Sequence, residues 1–81
     1  MTASSTKPKP GAFAKDVAFD NDMIHVTLAD GRRIGAPLEW FPKLRKAGEA
    51  ERKNWRLVGK GMGVHWDTLN EDVWVAALLE N

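Results

Sequence analysis

Apolar and polar residues alternate along the first third of the folded sequence. Phe13, Val17 and Phe19 share one parity with Lys15, while Asp16 and Asp20 share the other with Ala14 and Ala18. That two-residue period predicts a half-buried strand. Asp20-Asn21-Asp22 follows, and short polar side chains of this kind stand in for backbone partners in a turn. Ile24, Val26 and Leu28 then alternate with His25 and Thr27, which predicts a second strand. Asp30-Gly31 is the sequence of a tight type I′ hairpin. Residues 32–38 return as a third strand, with Pro37 ending its ladder. The expectation is a three-stranded antiparallel meander.

The period changes after Leu38. Leu38, Phe41, Leu44 and Ala47 recur every three to four residues, the spacing of a helix face, and Pro42 divides the run into two turns. Residues 49–54 predict a further short helix, with Glu49 and Lys53 one turn apart. Trp55–Val58 reads as a strand, residues 59–63 as a glycine-rich turn, and Val64-His65-Trp66 as an edge segment. Thr68-x-x-Glu71 matches a capping box. It predicts a helix from about Leu69 to Glu80, with Leu69, Val73, Ala76 and Ala77 inward. Equally, Asp72–Trp74 stays extended and the helix starts at Val75. Periodicity does not separate these two readings. The fold class is α+β: a small antiparallel sheet made of the meander plus one or two short strands, a helical middle and a C-terminal helix. Trp40, Phe41, Leu44, Trp55, Leu57 and Trp66 are expected to join Val17, Ile24, Val26 and Leu28 in the core. Residues 1–11, rich in Ser, Thr, Lys and Pro, read as a disordered tail, and residues 12–81 as one domain.

Composition narrows the class. With 81 residues the core is modest. There is no cysteine, hence no disulfide framework and no thiolate zinc site. No signal-peptide core or membrane span is visible, so a cytoplasmic protein is expected. The net charge of +1 conceals polarity along the chain. Residues 32–60 carry nine Lys/Arg against three Glu, while residues 12–31 and 61–81 are both net acidic. Arg32, Arg33, Arg45 and Arg52 are the candidates in this basic segment for contact with a partner, either acidic protein or phosphate. Mutual neutralisation in the fold is the simpler outcome.

The densest chemistry lies in residues 63–74, GVHWDTLNEDVW. His65, Asp67, Glu71 and Asp72 are weak candidates for a metal or acid–base site. Their spacing matches no established ligand pattern, and the two serines of the chain, Ser4 and Ser5, lie in the tail, so no nucleophile accompanies them. The simpler reading has these groups capping the last helix, with His65 bracing the turn. The glycines of residues 59–63 lack the Walker spacing and serve a turn. His25 reads as an exposed strand residue. Four tryptophans are many for this length. Trp74 is the one with a neighbourhood already supplied with inward apolar groups, which makes it a partner-binding candidate.

The DGR hairpin, PLEWFPKL and the stretch with NW, HW and LNED resemble a small bacterial family catalogued as domain of unknown function 2442, from about Val17 to Leu79. Asn70 and Trp74 depart from it, since the family pattern has an acidic residue at the first position and a small one at the second. The resemblance implies a compact α+β domain. It also implies an antitoxin-like role in a two-gene pair, or a place before a DNA-binding extension, which a chain ending at Asn81 is not expected to carry. Together these features predict a non-enzymatic protein-interaction module with a small protein encoded by a neighbouring gene as partner. No cofactor is expected, and the sequence sets no oligomeric state. An accessory nucleic-acid binder using residues 32–60 is the alternative, and a metal-dependent hydrolase around His65 the third.

Overall fold

The computed structural model describes residues 13–79, so the tail expected over residues 1–11 lies outside the described residues. Strands β1 (Ala14–Phe19), β2 (Met23–Leu28) and β3 (Arg33–Pro37) form an antiparallel sheet in the order β1-β2-β3. A single 3-10 turn at Leu38–Trp40 leads to helices α1 (Pro42–Lys46) and α2 (Glu49–Lys53). Strands β4 (Trp55–Val58), β5 (Gly63–Trp66) and β6 (Glu71–Trp74) form a second antiparallel sheet, β4-β5-β6, and β6 runs directly into helix α3 (Val75–Leu79). The α+β expectation is met, with two sheets in place of one.

The meander forms for the reasons its pattern gave. Ile24, Val26 and Leu28 are buried while His25 and Thr27 between them stay partly accessible. At the first turn Asp20 Oδ1 accepts from the backbone N–H of Asp22 at 2.9 Å and of Met23 at 2.8 Å. Two details differ from expectation. Gly31 has φ +97°, but Asp30 is not left-handed, so the second turn is not type I′. Instead Gly31 N–H donates to Leu28 O and Leu28 N–H to Arg32 O, a three-residue loop closed by a glycine bulge. In β1 the register slips between Ala14 and Asp16. One extra residue reverses the side-chain phase, so Ala14 is buried and Phe13 sits at the surface, while Val17 and Phe19 still pack against the core.

The two sheets meet through one apolar cluster. Ile24, Val26, Leu28 and Ala36 from the first sheet pack with Val64, Trp66 and Val73 from the second, closed off by Leu38, Leu44, Val75 and Leu78. Trp66, fully buried, meets Phe19 edge to face at 6.3 Å between ring centres. Its indole N–H donates to Arg52 O at 2.9 Å, so the largest core ring leaves no orphan donor. Arg52 in turn donates Nε to Leu44 O at 3.0 Å and Nη2 to Arg45 O at 3.1 Å. One guanidinium thereby ties α2 to the carbonyl end of α1.

Several placements correct the sequence reading. Trp40 and Leu57 are not core residues; they are 50% and 40% exposed. Trp40 ends a single turn and Leu57 lies on an edge strand, where a large apolar side chain gains only partial cover. Residues 64–66 are not an edge segment, since β5 is the centre of its sheet. Thr68-x-x-Glu71 caps no helix. Residues 67–70 are the loop between β5 and β6, closed by Asn70 N–H to Asp67 O, and Glu71 begins β6. Asn70 supplies the left-handed residue at φ +51°, a conformation its short amide side chain tolerates. Of the two readings of the last helix, the structure adopts the one starting at Val75, so Ala76 and Ala77 are exposed and Leu78 turns inward.

Candidate functional site

Alternation sorts the second sheet into two faces. Trp55, Val64, Trp66 and Val73 lie on the inner face. Arg56, Val58, Gly63, His65, Asp72 and Trp74 lie on the outer one, and the register aligns Arg56 with His65 and His65 with Asp72. Antiparallel pairing thus creates a transverse row of a guanidinium, an imidazole and a carboxylate. Asp67, at the start of the β5–β6 loop, folds back over it. Arg56 donates Nε to Asp67 Oδ2 at 3.1 Å and Nη2 to Oδ1 at 3.2 Å. His65 faces Asp67 Oδ1 with Nε2 at 3.1 Å and hydrogen-bonds Asp72 Oδ1 through Nδ1. The Arg56 hydrogen bond holds the Asp67 carboxyl below its ordinary value, helped by the charges of Arg56 and His65. The same bond raises the Arg56 guanidinium further.

This arrangement brings together three of the four weak candidates, His65, Asp67 and Asp72. Glu71 pairs with Trp66 and so belongs to the opposite face. Both imidazole nitrogens are already engaged by carboxylates. Among the described residues no group of three or more His, Asp or Glu is arranged to hold a metal ion. Arg56, which the sequence offers only as one of the basic residues of segment 32–60, completes the cluster. Its position opposite His65 follows only once the pairing of β4 with β5 is known. His25 also has a partner that its sequence neighbourhood did not offer: Nε2 lies 2.8 Å from Asp20 Oδ2. That hydrogen bond, with the two turn amides, lowers the Asp20 carboxyl.

Beside the polar row lies Trp74. Its ring covers Gly63 so closely that a Cβ built there would stand 2.5 Å from Cε3. The absence of a side chain at Gly63 therefore creates the seat for the indole, which keeps 45% of its surface exposed. Met62 and Leu79, 55% and 45% exposed, join it. With Val75 and Ala76 they line an almost wholly apolar cleft of about 180 Å³. The turn presenting Met62 needs three successive left-handed residues, Gly59, Lys60 and Gly61, which explains the glycine-rich stretch better than any phosphate loop.

The basic candidates disperse. Arg32 is held by Asp30, Nε to Oδ2 at 2.8 Å; the Arg32 backbone N–H chiefly, and then this side-chain contact, lower the Asp30 carboxyl. Arg45 lies 3.9 Å from Glu39, and Arg52 is bound to the α1 carbonyls. Arg33 is exposed on β3 without an ion pair among the described residues.

The chain is a two-sheet α+β domain with an outer face built of a polar row and an apolar cleft. The chain belongs to the family described as protein of unknown function (DUF2442), whose model matches residues 14–81. A crystal structure of a protein of unknown function from Rhodospirillum rubrum is similar at a TM-score of 0.69 and 24% identity, with 84% of each chain covered. The solution structure of an uncharacterised protein from Chromobacterium violaceum is similar at a TM-score of 0.70 and 24% identity; it covers 84% of this chain, which spans 64% of that one. These likenesses show the fold. No curated protein matches the chain. None of the described helices is long and apolar enough to cross a membrane.

Proposed function

We propose that this protein is a non-enzymatic interaction module that docks a small partner protein on the outer face of its second sheet. The observation behind this reading is the half-exposed Trp74, seated on Gly63 and flanked by Met62 and Leu79. A tryptophan in an apolar cleft, rimmed by fixed charges, is the composition of an interface hot spot. The Arg56–Asp67–His65–Asp72 row supplies that rim and would orient the partner more than it binds it. The family resemblance supports an antitoxin-like role in the cytoplasm, with the partner encoded by an adjacent gene. The test is co-purification of the tagged chain with the neighbouring gene's product. Retention in high salt, lost in Trp74→Ala, is the expected result. No retention, or equal retention by the variant, overturns the reading. A nucleic-acid role for residues 32–60 predicts instead a retained species that elutes steeply with moderate salt.

A further inference from the structure

A second cleft, of about 310 Å³, is lined by residues of β1, α2 and β4. They include Phe19 and Asp20 from β1 and its turn, Glu49, Arg52 and Lys53 from α2, and Trp55 from β4. Phe19 and Trp55 are half-buried and packed against the core, so their rings form fixed apolar walls. Arg52 is fixed as well. Its Nε and Nη2 are held by the Leu44 and Arg45 carbonyls, and its guanidinium carbon lies 5.1 Å from the centre of the Phe19 ring. Among the described residues no carboxylate forms an ion pair with Arg52 or with Lys53. Asp20 is occupied by His25 and two turn amides, and Glu49 is exposed.

A half-buried cation hydrogen-bonded only to carbonyls keeps its whole charge to offer to an anion. Here the cation is pre-organised, the exposed Lys53 and Glu49 line the same cleft with opposite charges, and the Phe19 and Trp55 rings supply its apolar lining. The volume is at the small end of the range for ligand pockets, enough for one or two rings. The geometry points to a binding site for a small aromatic carboxylate, its ring between Phe19 and Trp55 and its carboxylate toward Arg52 and Lys53. The site shares no residue with the Trp74 face and stands apart from the docking function.

Amide-resolved NMR titration of the full chain with indole-3-carboxylate tests it. Saturable shifts are expected at Phe19–Asn21 and Arg52–Trp55, with indole alone and acetate alone each binding far more weakly. Lys53 and Glu49 are exposed, so charge changes there leave the fold intact. Lys53→Glu should weaken binding roughly fivefold, and Glu49→Gln should strengthen it about twofold, as expected for exposed charges near an anion. Shifts that do not saturate, that spread over the surface, or that ignore both variants overturn the proposal.

Discussion

Gly63→Ala tests how the outer face is built. The added methyl would stand 2.5 Å from Trp74 Cε3 and 2.8 Å from Cζ3, far inside ordinary carbon contact. The strand backbone on which Gly63 sits is central and buried, so the ring is the part that yields. Trp74 keeps 45% of its surface exposed, so about half of the ~200 Å² that a tryptophan can bury is covered, worth roughly 2.5 kcal/mol at ~25 cal/mol/Å². Lifting the ring off the sheet forfeits most of that. Replacing a strand glycine returns about 0.5–1 kcal/mol of backbone entropy. The net expectation is a destabilisation of about 1–2 kcal/mol.

The assay is urea unfolding of four proteins: the parent, Gly63→Ala, Trp74→Ala and the double variant. If the ring is what the methyl meets, Gly63→Ala should be neutral or stabilising once Trp74 is gone. The cycle then shows a coupling of about 1–3 kcal/mol, as residues in direct contact give. Equal destabilisation in both backgrounds would refute the argument, since it would place the cost in the backbone. Partner retention supplies a second reading. Gly63→Ala should lower it nearly as much as Trp74→Ala, although it removes no apolar atom from the face.

Other expectations follow from single contacts. Arg52→Lys cannot reach both the Leu44 and Arg45 carbonyls with one ammonium, and should lower stability by about 1.5–3 kcal/mol in urea unfolding. Lys60 holds φ +60° between two left-handed glycines, so Lys60→Gly should raise the thermal midpoint, by up to about 1 kcal/mol in stability, while Lys60→Val should lower it. Asp67 has a folded-state carboxyl lowered by Arg56 from an ordinary value of 3.8. Its contribution is therefore complete above that value and lost as pH falls through the lower folded one. Asp67→Asn should flatten the acid limb of the stability–pH curve below about pH 4 and leave its shape near pH 7 unchanged, as unfolding at a series of pH values would show.

The first sheet was legible because its pattern is local. Ile24, Val26 and Leu28 announce their own face, and the Asp20 and Gly31 turns lie next to the strands they join. What alternation alone does not reveal is an inserted residue, and the bulge before Asp16 moved Ala14 inside in place of Phe13. Side-chain size also misled. Trp40 and Leu57 carry as much apolar area as Phe41 and Leu44, but burial depends on what the tertiary fold places over a side chain, and nothing covers these two well. The last element was ambiguous for a different reason. Val73, Trp74 and Val75 satisfy a strand and a helix pattern alike, and Thr68 and Glu71 supply a helix start that a four-residue hairpin loop also accommodates.

That ambiguity is what hid the site. With a helix from Leu69, Asp72 lies on no strand that can pair with the one carrying His65, and the acidic groups become caps. With Asp72–Trp74 extended, the loop at 67–70 forces antiparallel pairing, and the register carries the rest: His65 opposite Asp72, and Gly63 opposite Trp74. The His65–Asp72 pair and the tryptophan seat are thus consequences of one choice between strand and helix over four residues. Trp74 itself bears on that choice. A large β-favouring ring opposite a glycine stabilises the strand by covering bare backbone. The side chain proposed to meet the partner therefore also helps to fix the strand that presents it, and its removal should loosen the β5–β6 hairpin as well as the docking surface. Hydrogen exchange at Val73 and Val64 in Trp74→Phe, which keeps a ring over Gly63, against Trp74→Ala, which does not, separates the two roles. Protection should survive the first change and fall in the second, while partner retention should weaken in both.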